Sequence, residues 1–390
     1  MIIHNPIEIL VIGGGIIGLS SALAMRHRGF TVCILDTGPS QTPHELYNKR
    51  VYALNPASQA RLATLGVWDT IDAFKRTPYR KMHVWDAVNG AQLDFDTRLL
   101  GAPELGSILG EHVLKEALLQ QCLAQGVTMH HHTYVRKLVC TDHNAQVHSD
   151  TATWLTDFVI IADGVNSPTR TQLQVPTTTW PYHQHALVAT VASDKPHDET
   201  AYQIFTPDGP LAFLPLSHPH HTAIVWSMPP TQATHLLTCA NDLFNQALSH
   251  TFMHKLGHSH LLSDRYTYPL HMHHTTRYYG PRWILIGDAA HSIHPLAGLG
   301  LNLGFADLNT WINCLDNNKN NFLSIKTLGS YQRERKHAVW QTILLMDAIK
   351  RIFSNPWTPI TTLRGASISL LNKMPTIKRL MMEHASGVTL

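Results

Sequence analysis

A continuous apolar run, Ile7 to Ile12, ends in Gly13-Gly14-Gly15-Ile16-Ile17-Gly18, and no other junction constrains the fold as much. A buried strand that stops on G-x-G-x-x-G (Gly13, Gly15, Gly18) and passes directly into a helix opens a dinucleotide-binding unit. One glycine makes the tight turn, the next admits a pyrophosphate, and the third lets helix and strand pack closely. The helix is predicted over Ile16 to Arg28, with Gly29 as its stop. Phe30 to Leu35 is the second strand and closes on Asp36, in register to hold a ribose hydroxyl. The motif alone does not separate FAD from NAD.

A second junction of this kind lies far along the chain. Trp283 to Ile286 reads as a buried strand and ends in Gly287-Asp288. A loop, His291-Ser292-Ile293-His294-Pro295, leads to Gly298-Leu299-Gly300 and a helical segment, Leu301 to Asp307, that includes Asn302. Glycines before a helix let a ligand reach backbone N–H groups, where the helix N-terminus adds positive charge. A third strand end, Phe158 to Ala162 followed by Asp163-Gly164, reads from the residues either as a plain turn or as a ligand site.

Between these junctions the texture varies. Met82 to Ala87 and Ala91 to Phe95 flank Asn89-Gly90, a hairpin signal. Glu111 to Gln125 is an amphipathic helix. Val127 to Met129, Val135 to Thr141, Ala145 to Ser149 and Thr153 to Thr156 are predicted as short strands. From Trp180 to Pro281 alternating runs argue for a sheet whose apolar faces are either plain core or a pocket. Leu328 to Phe353 is a long helix. Leu363 to Met382 carries Arg364, Lys373, Lys378 and Arg379 among apolar residues, and suits a membrane surface or a solvated face over a packed helix.

Composition narrows the class. Of 390 residues, 44% are hydrophobic and 15% charged, so a sizeable core is expected rather than disorder. A net charge of +3 offers no electrostatic reason for nucleic acid as a partner. Five scattered cysteines without a C-x-x-C pair suit a reducing cytoplasm. Met1 is followed almost at once by the first strand, so no signal peptide is expected, and no apolar run reaches membrane-spanning length. The 28 histidines cluster around 130–132, 218–221 and 271–274. None has a full ligand set at zinc spacing, so surface or half-buried histidine is expected and no metal.

Four segments, taken together, resemble a family. GDAAHSIHPLAGLGLNLGFAD (287–307) resembles the second FAD motif of the flavin aromatic hydroxylases, most like their ubiquinone-biosynthesis branch, with Leu299 where that group usually has Gln. FVIIADGVNSPTR, with Ser167 and Arg170, resembles their internal D-G motif, and FTPDGPLAFLPL their substrate sheet. NKRVYALNPAS resembles a segment whose Arg lies against the cofactor, which would make Arg50 a cofactor contact rather than a solvated charge. The family has Asn or Gln near the start of the helix at 111, and Glu111 stands there.

The resemblance implies an α/β fold, with a Rossmann-type FAD-binding domain (1–75, 101–179, 282–340) interrupted by a β-rich substrate domain (hairpin 76–100 and 180–281). A helical C-terminal region (341–390) follows. It implies FAD held by Gly13, Gly15, Gly18, Asp36, Arg50, Asp163, Gly164, Gly287, Asp288, Gly298, Gly300 and Asn302, with NAD(P)H as a transient reductant. The implied reaction is NAD(P)H- and O2-dependent hydroxylation of a polyprenylated phenol or quinol ring. His294, Pro295 and Leu296 are expected beside the flavin ring, His294 equally as a structural residue. Cytoplasmic location, peripheral membrane contact through the C-terminal region and association with other quinone-biosynthesis proteins are expected. Two other outcomes stay open: an FAD reductase or oxidase of a prenyl lipid, and a non-catalytic subunit of a biosynthetic assembly.

Overall fold

The computed structural model describes residues 2–39, 50–293, 298–318, 323–355 and 357–387, which form three sheets and ten α-helices among them. The first sheet is organised on a parallel core to which both halves of the chain contribute. Strands Trp283–Leu285, Thr153–Ile161, Ile2–Ile12, Val32–Leu35 and Thr128–His130 lie side by side in that order. They are the continuous apolar runs of the sequence, because a parallel sheet covered on both faces has no polar side to present. Helices Ile16–Arg26 and Glu111–Ala124 pack on each other, and Leu299–Asp316 packs on the first of them. Phe158 stacks on Trp311 at 5.4 Å between ring centroids in this core. Two predicted strands, Thr153 to Thr156 and Phe158 to Ala162, are one strand. Asp157 is exposed, but the backbone runs on, since the first half pairs with Ala145–His148 and the whole pairs with Ile2–Ile12.

The second sheet has nine strands. The hairpin Lys81–Asp86 and Gln92–Asp96 joins it by parallel pairing to Thr200–Thr206, and Gly209–Pro215, His221–Met228, Thr177–Ser193 and Tyr266–Thr275 follow. Alternation decides its two faces. Leu187, Val191, Leu211, Phe213, Ile224 and Trp226 point to a core closed by helices Pro230–Thr238 and Asn241–Thr251. Those helices are absent from the sequence reading. Their apolar positions, Ala233 with Leu236 and Phe244 with Leu248, make a signal only one or two turns long inside strand-rich sequence. The other face, with Ala186, Val188, Gln203, Ala212 and Val225, turns toward the parallel domain. Val51–Leu54, Gly106–Gly110 and Arg76–Tyr79 form a small third sheet at the junction.

The C-terminal region differs from the expectation of one basic amphipathic helix. It is two helices, Thr358–Asn372 and Pro375–Ala385, because Pro375 starts a new helix rather than continuing the old one. Arg364 is not on a surface. Its Nε donates to Asp86 Oδ2 at 2.6 Å, with both side chains buried, and it pins the helix to the hairpin of the second sheet. Lys378 donates to Asn372 and Arg379 pairs with Glu383. Beside the exposed Lys373 and Arg379, these helices also show large apolar side chains to solvent: Leu363, Leu370 and Leu380 are more than 60% exposed. The end of the last helix returns to the first domain, where Asn55 Nδ2 donates to Ala385 O and Ala57 N–H to Ser386 O. Among the described residues no helix is long and apolar enough to cross a membrane.

Candidate active site

The glycine loop at 13–18 is shaped by contacts that exclude side chains. Gly13 has φ +107°, and a Cβ there would overlap the Ala162 carbonyl on the neighbouring strand. A Cβ at Gly18 would collide with Gly13 O, so the helix could not approach the strand. Gly15 is different: nothing lies within 4 Å of its Cβ position, and it opens on a cavity. Asp36 ends the second strand, and its Oδ1 accepts the Gly14 N–H at 3.1 Å. One carboxylate oxygen therefore braces the loop.

At the second motif Asp163 Oδ2 accepts the Thr169 N–H at 3.1 Å, while Oδ1 is buried without a protein partner among the described residues. Gly164 (φ +85°) is open on its Cβ side and lines the cavity with Val165 and Asn166. Ser167 Oγ caps the short helix Pro168–Gln172 by accepting the Arg170 N–H. Arg170 donates to Val165 O and to Ala289 O, each at 2.9 Å. Its guanidinium thus ties the second motif to the third.

The third motif divides its residues between two tasks. Gly287 (φ +62°) donates its N–H to Asp307 Oδ2 at 2.8 Å. Asp307 is fully buried and also meets His291 Nε2 at 2.7 Å and Arg335 Nε at 2.6 Å. Burial alone would raise its pKa, but His291 and Arg335 overcome that and hold it below the usual carboxylate value. His273 and His274 lie beside this cluster and are buried rather than on the surface. Burial and the neighbouring positive groups, Arg170 and His291 for His273, His291 and Lys336 for His274, push both down to about 4.

Asp288, one residue from Gly287, is exposed to the cavity, and its carboxylate accepts no protein hydrogen bond among the described residues. Enough protein surrounds it that desolvation raises its pKa, although His291 and Arg50 act to lower it. Gly298 (φ +64°) sets the N-terminus of the helix Leu299–Asp316, and Gly300 has nothing within 4 Å of its Cβ position. Asn302 spends all its hydrogen-bonding capacity on protein. Oδ1 accepts from Asn55 N and Ser58 Oγ, and Nδ2 donates to Ala53 O and Gly298 O. Its side chain therefore positions the loop rather than meeting a ligand. His294, Pro295 and Leu296 lie outside the described residues.

These pieces converge on one cavity of about 800 Å³, lined by all three motifs and by the open face of the nine-stranded sheet. The N-termini of helices Ile16–Arg26 and Leu299–Asp316 both border it. Arg50 stands in its wall, 4.1 Å from the centroid of the Tyr268 ring across the domain junction. Burial lowers the Arg50 pKa, but Tyr52, Tyr268 and Glu111 raise it further, so the guanidinium is firmly charged. Glu111 lines the same cavity and donates its N–H to Arg50 O at 3.0 Å. None of Tyr52, Tyr268, His291 and Arg335 was a site residue in the sequence reading. Tyr52 and His291 sat inside recognised segments, Arg335 read as part of a basic face on the long helix, and Tyr268 carried no local signal.

The site fits FAD on its own features. Three glycines leave open space where Cβ atoms would stand, two helix N-termini face the cavity, and the Asp163 Oδ1 and Asp288 carboxylate lack protein partners among the described residues. Comparisons with known proteins agree. The model of the FAD binding domain family matches residues 6–345. The mitochondrial ubiquinone biosynthesis monooxygenase COQ6 of Danio rerio is 30% identical, over 97% of this chain and 89% of its own. The 3-demethoxyubiquinol 3-hydroxylase of Escherichia coli is 29% identical, over 99% of this chain and all of its own. Among solved structures, p-nitrophenol 4-monooxygenase PnpA of Pseudomonas putida superposes with a TM-score of 0.80 at 17% identity, covering 99% of both chains. PqsL of Pseudomonas aeruginosa gives 0.77 at 21%, covering 93% of this chain and 99% of its own, and both show the shared fold. The chain belongs to the FAD-binding-domain family of flavoproteins.

Proposed function

We propose that the protein is an FAD-dependent monooxygenase that hydroxylates the ring of a polyprenylated phenol in ubiquinone biosynthesis, with NAD(P)H as transient donor. The observation that carries this reading is the continuity of the cavity, which begins at three glycine motifs and runs onto an apolar sheet face. FAD, held by the glycine motifs and Asp288, would supply the redox chemistry by which NAD(P)H is oxidised, one oxygen atom of dioxygen enters the ring and the other leaves as water. The chain's own residues bind, orient and desolvate. Gly15 and Gly300 leave backbone N–H groups accessible to anionic or electron-rich oxygens at the two helix N-termini. Asp288 and the second carboxylate oxygen of Asp36 accept hydrogen bonds from hydroxyls of the sugar-like parts of the cofactor. Arg50, Tyr52, Tyr268 and Glu111 form the wall where cofactor and substrate regions meet. The alanine- and valine-rich sheet face excludes water from the ring.

A polyprenyl substrate resides in a bilayer, and the exposed Leu363, Leu370 and Leu380 give the C-terminal helices an apolar surface for peripheral contact. With most of the nearby basic residues engaged by protein partners, this contact is hydrophobic more than electrostatic. The test is turnover of a geranylated phenol in vesicles under ¹⁸O2 with NADH or NADPH. One ¹⁸O per product ring is expected. Consumption of reductant with an unlabelled, reduced lipid as product would make the enzyme a reductase. Flotation with neutral vesicles should fall when the three leucines are changed to serine, and a parent protein that never floats would remove the membrane part.

A further inference from the structure

The floor of the cavity is built from one face of the nine-stranded sheet, and its rows can be read across the strands. Val188 pairs with Val225, Val225 with Ala212, and Ala212 with Gln203. All four line the cavity. At roughly 4.8 Å between strands, this row spans about 14 Å. The next residues of that face on the Gln203 strand, Ala201 and Phe205, each belong to an apolar cluster. Gln203 is therefore an amide set where the cavity-lining part of the row ends, since its partner on the next strand, Val84, packs with Phe205 instead. Its side chain is half-buried and makes no hydrogen bond to protein among the described residues.

That is an unusual place for such a group. A side-chain amide offers a donor and an acceptor, and apolar neighbours satisfy neither. The partner must come from whatever fills the cavity. Resting on the proposed substrate class, we infer that Gln203 is a specificity-determining residue that hydrogen-bonds an oxygen on the substrate ring. The rest of the row, Val188, Val225 and Ala212, is small and apolar, which suits the hydrocarbon part of the same molecule. Among these four residues Gln203 reads oxygen and the other three read only shape; beyond Val188 the row continues to Tyr266, whose hydroxyl faces Asp264 Oδ2 at 3.5 Å. A ring lacking that oxygen leaves the amide unpaired and is disfavoured on binding.

The test uses the FAD-loaded full chain and two probes, geranylphenol and geranylbenzene, which differ by one hydroxyl. Dissociation constants are measured by equilibrium dialysis, so the result does not depend on turnover. The parent should bind the phenol roughly tenfold more tightly. Gln203→Met keeps an unbranched side chain of similar length. It should bring the ratio close to one, leave geranylbenzene binding intact, and retain FAD and the unfolding temperature of the parent. In turnover it should also oxidise more NAD(P)H per hydroxylated ring. A variant that keeps the parent's ratio, or a parent that binds both probes equally or neither, overturns the assignment. A parent that incorporates no ¹⁸O yet prefers the phenol tenfold, with that preference lost in Gln203→Met, would strike the hydroxylase reading and leave Gln203 as a ligand-reading residue.

Discussion

Two aspartates of the third motif, nineteen positions apart, face opposite fates. Asp307 is wholly enclosed and meets three protein donors, Gly287 N–H, His291 and Arg335, and its pKa is driven down. Asp288 stands in the cavity wall, meets no protein donor among the described residues, and its pKa is driven up. The first charge is structural because the fold supplies its partners. The second is held in readiness because the fold withholds them. Residues of one motif therefore separate into those that build the cradle and those that meet its contents, and the pKa directions carry the distinction.

Breaking the enclosed member should have the largest effect. Asp307→Asn leaves Arg335 buried without its counter-charge, and loss of one partner of a buried pair typically costs about 3–5 kcal/mol. Urea unfolding of the apoprotein should show this, and a change within about 0.5 kcal/mol would mean the cluster is not what supports the motif. The open member should behave in the reverse way. Asp288→Ala should weaken FAD about ten- to a hundredfold, the loss of about 1.5–3 kcal/mol of charge-assisted hydrogen bonding. Apoprotein stability should barely move. Titration of apoprotein with FAD measures the first and urea unfolding the second. Undiminished affinity would remove Asp288 from the cofactor site.

A smaller effect sharpens the enclosed side. His273 and His274 are pushed to about 4, so the unfolded chain takes up their protons first. Their contribution is fully present above the ordinary histidine value near 6.5 and is lost as pH falls from there toward 4. Each should cost up to about 1.4 kcal/mol per pH unit across that window. Unfolding temperatures from pH 7 to 4 should fall accordingly, and His274→Leu should flatten the slope by about half. An unchanged slope would place the titration elsewhere.

Much of this was legible along the chain, for identifiable reasons. Gly13 and Gly18 are forced by backbone contacts that only glycine permits, and Gly298 by its left-handed φ of +64°, so their spacing survives as a pattern. Asp288 and Asp307 look alike in sequence, since the difference between them is Arg335, supplied by another helix. Arg364 read as a surface charge because its partner, Asp86, lies 278 residues away. The histidines at 273 and 274 read as a polar cluster, yet a strand paired on both sides buries neighbours on both faces. Tyr268 and Gln203 carry no local signature, because only the packing of two domains gives them a cavity to face.

The hydrogen bonds of Asn302 to Ala53 and Asn55, and of Asn55 and Ala57 to Ala385 and Ser386, bear on the order in which the molecule is made. The loop at 53–58 is gripped by residues 247 and 330 positions downstream. A nascent chain emerging from the ribosome can form its first βαβ unit early, but it has to wait for the distant helices before this loop is held. Contacts so far apart in sequence are slow to form. For most of synthesis, then, the glycine turn at 13–18 is finished while the rest of the cradle is not. Cofactor capture becomes a late event, and it falls when the whole chain has closed on itself.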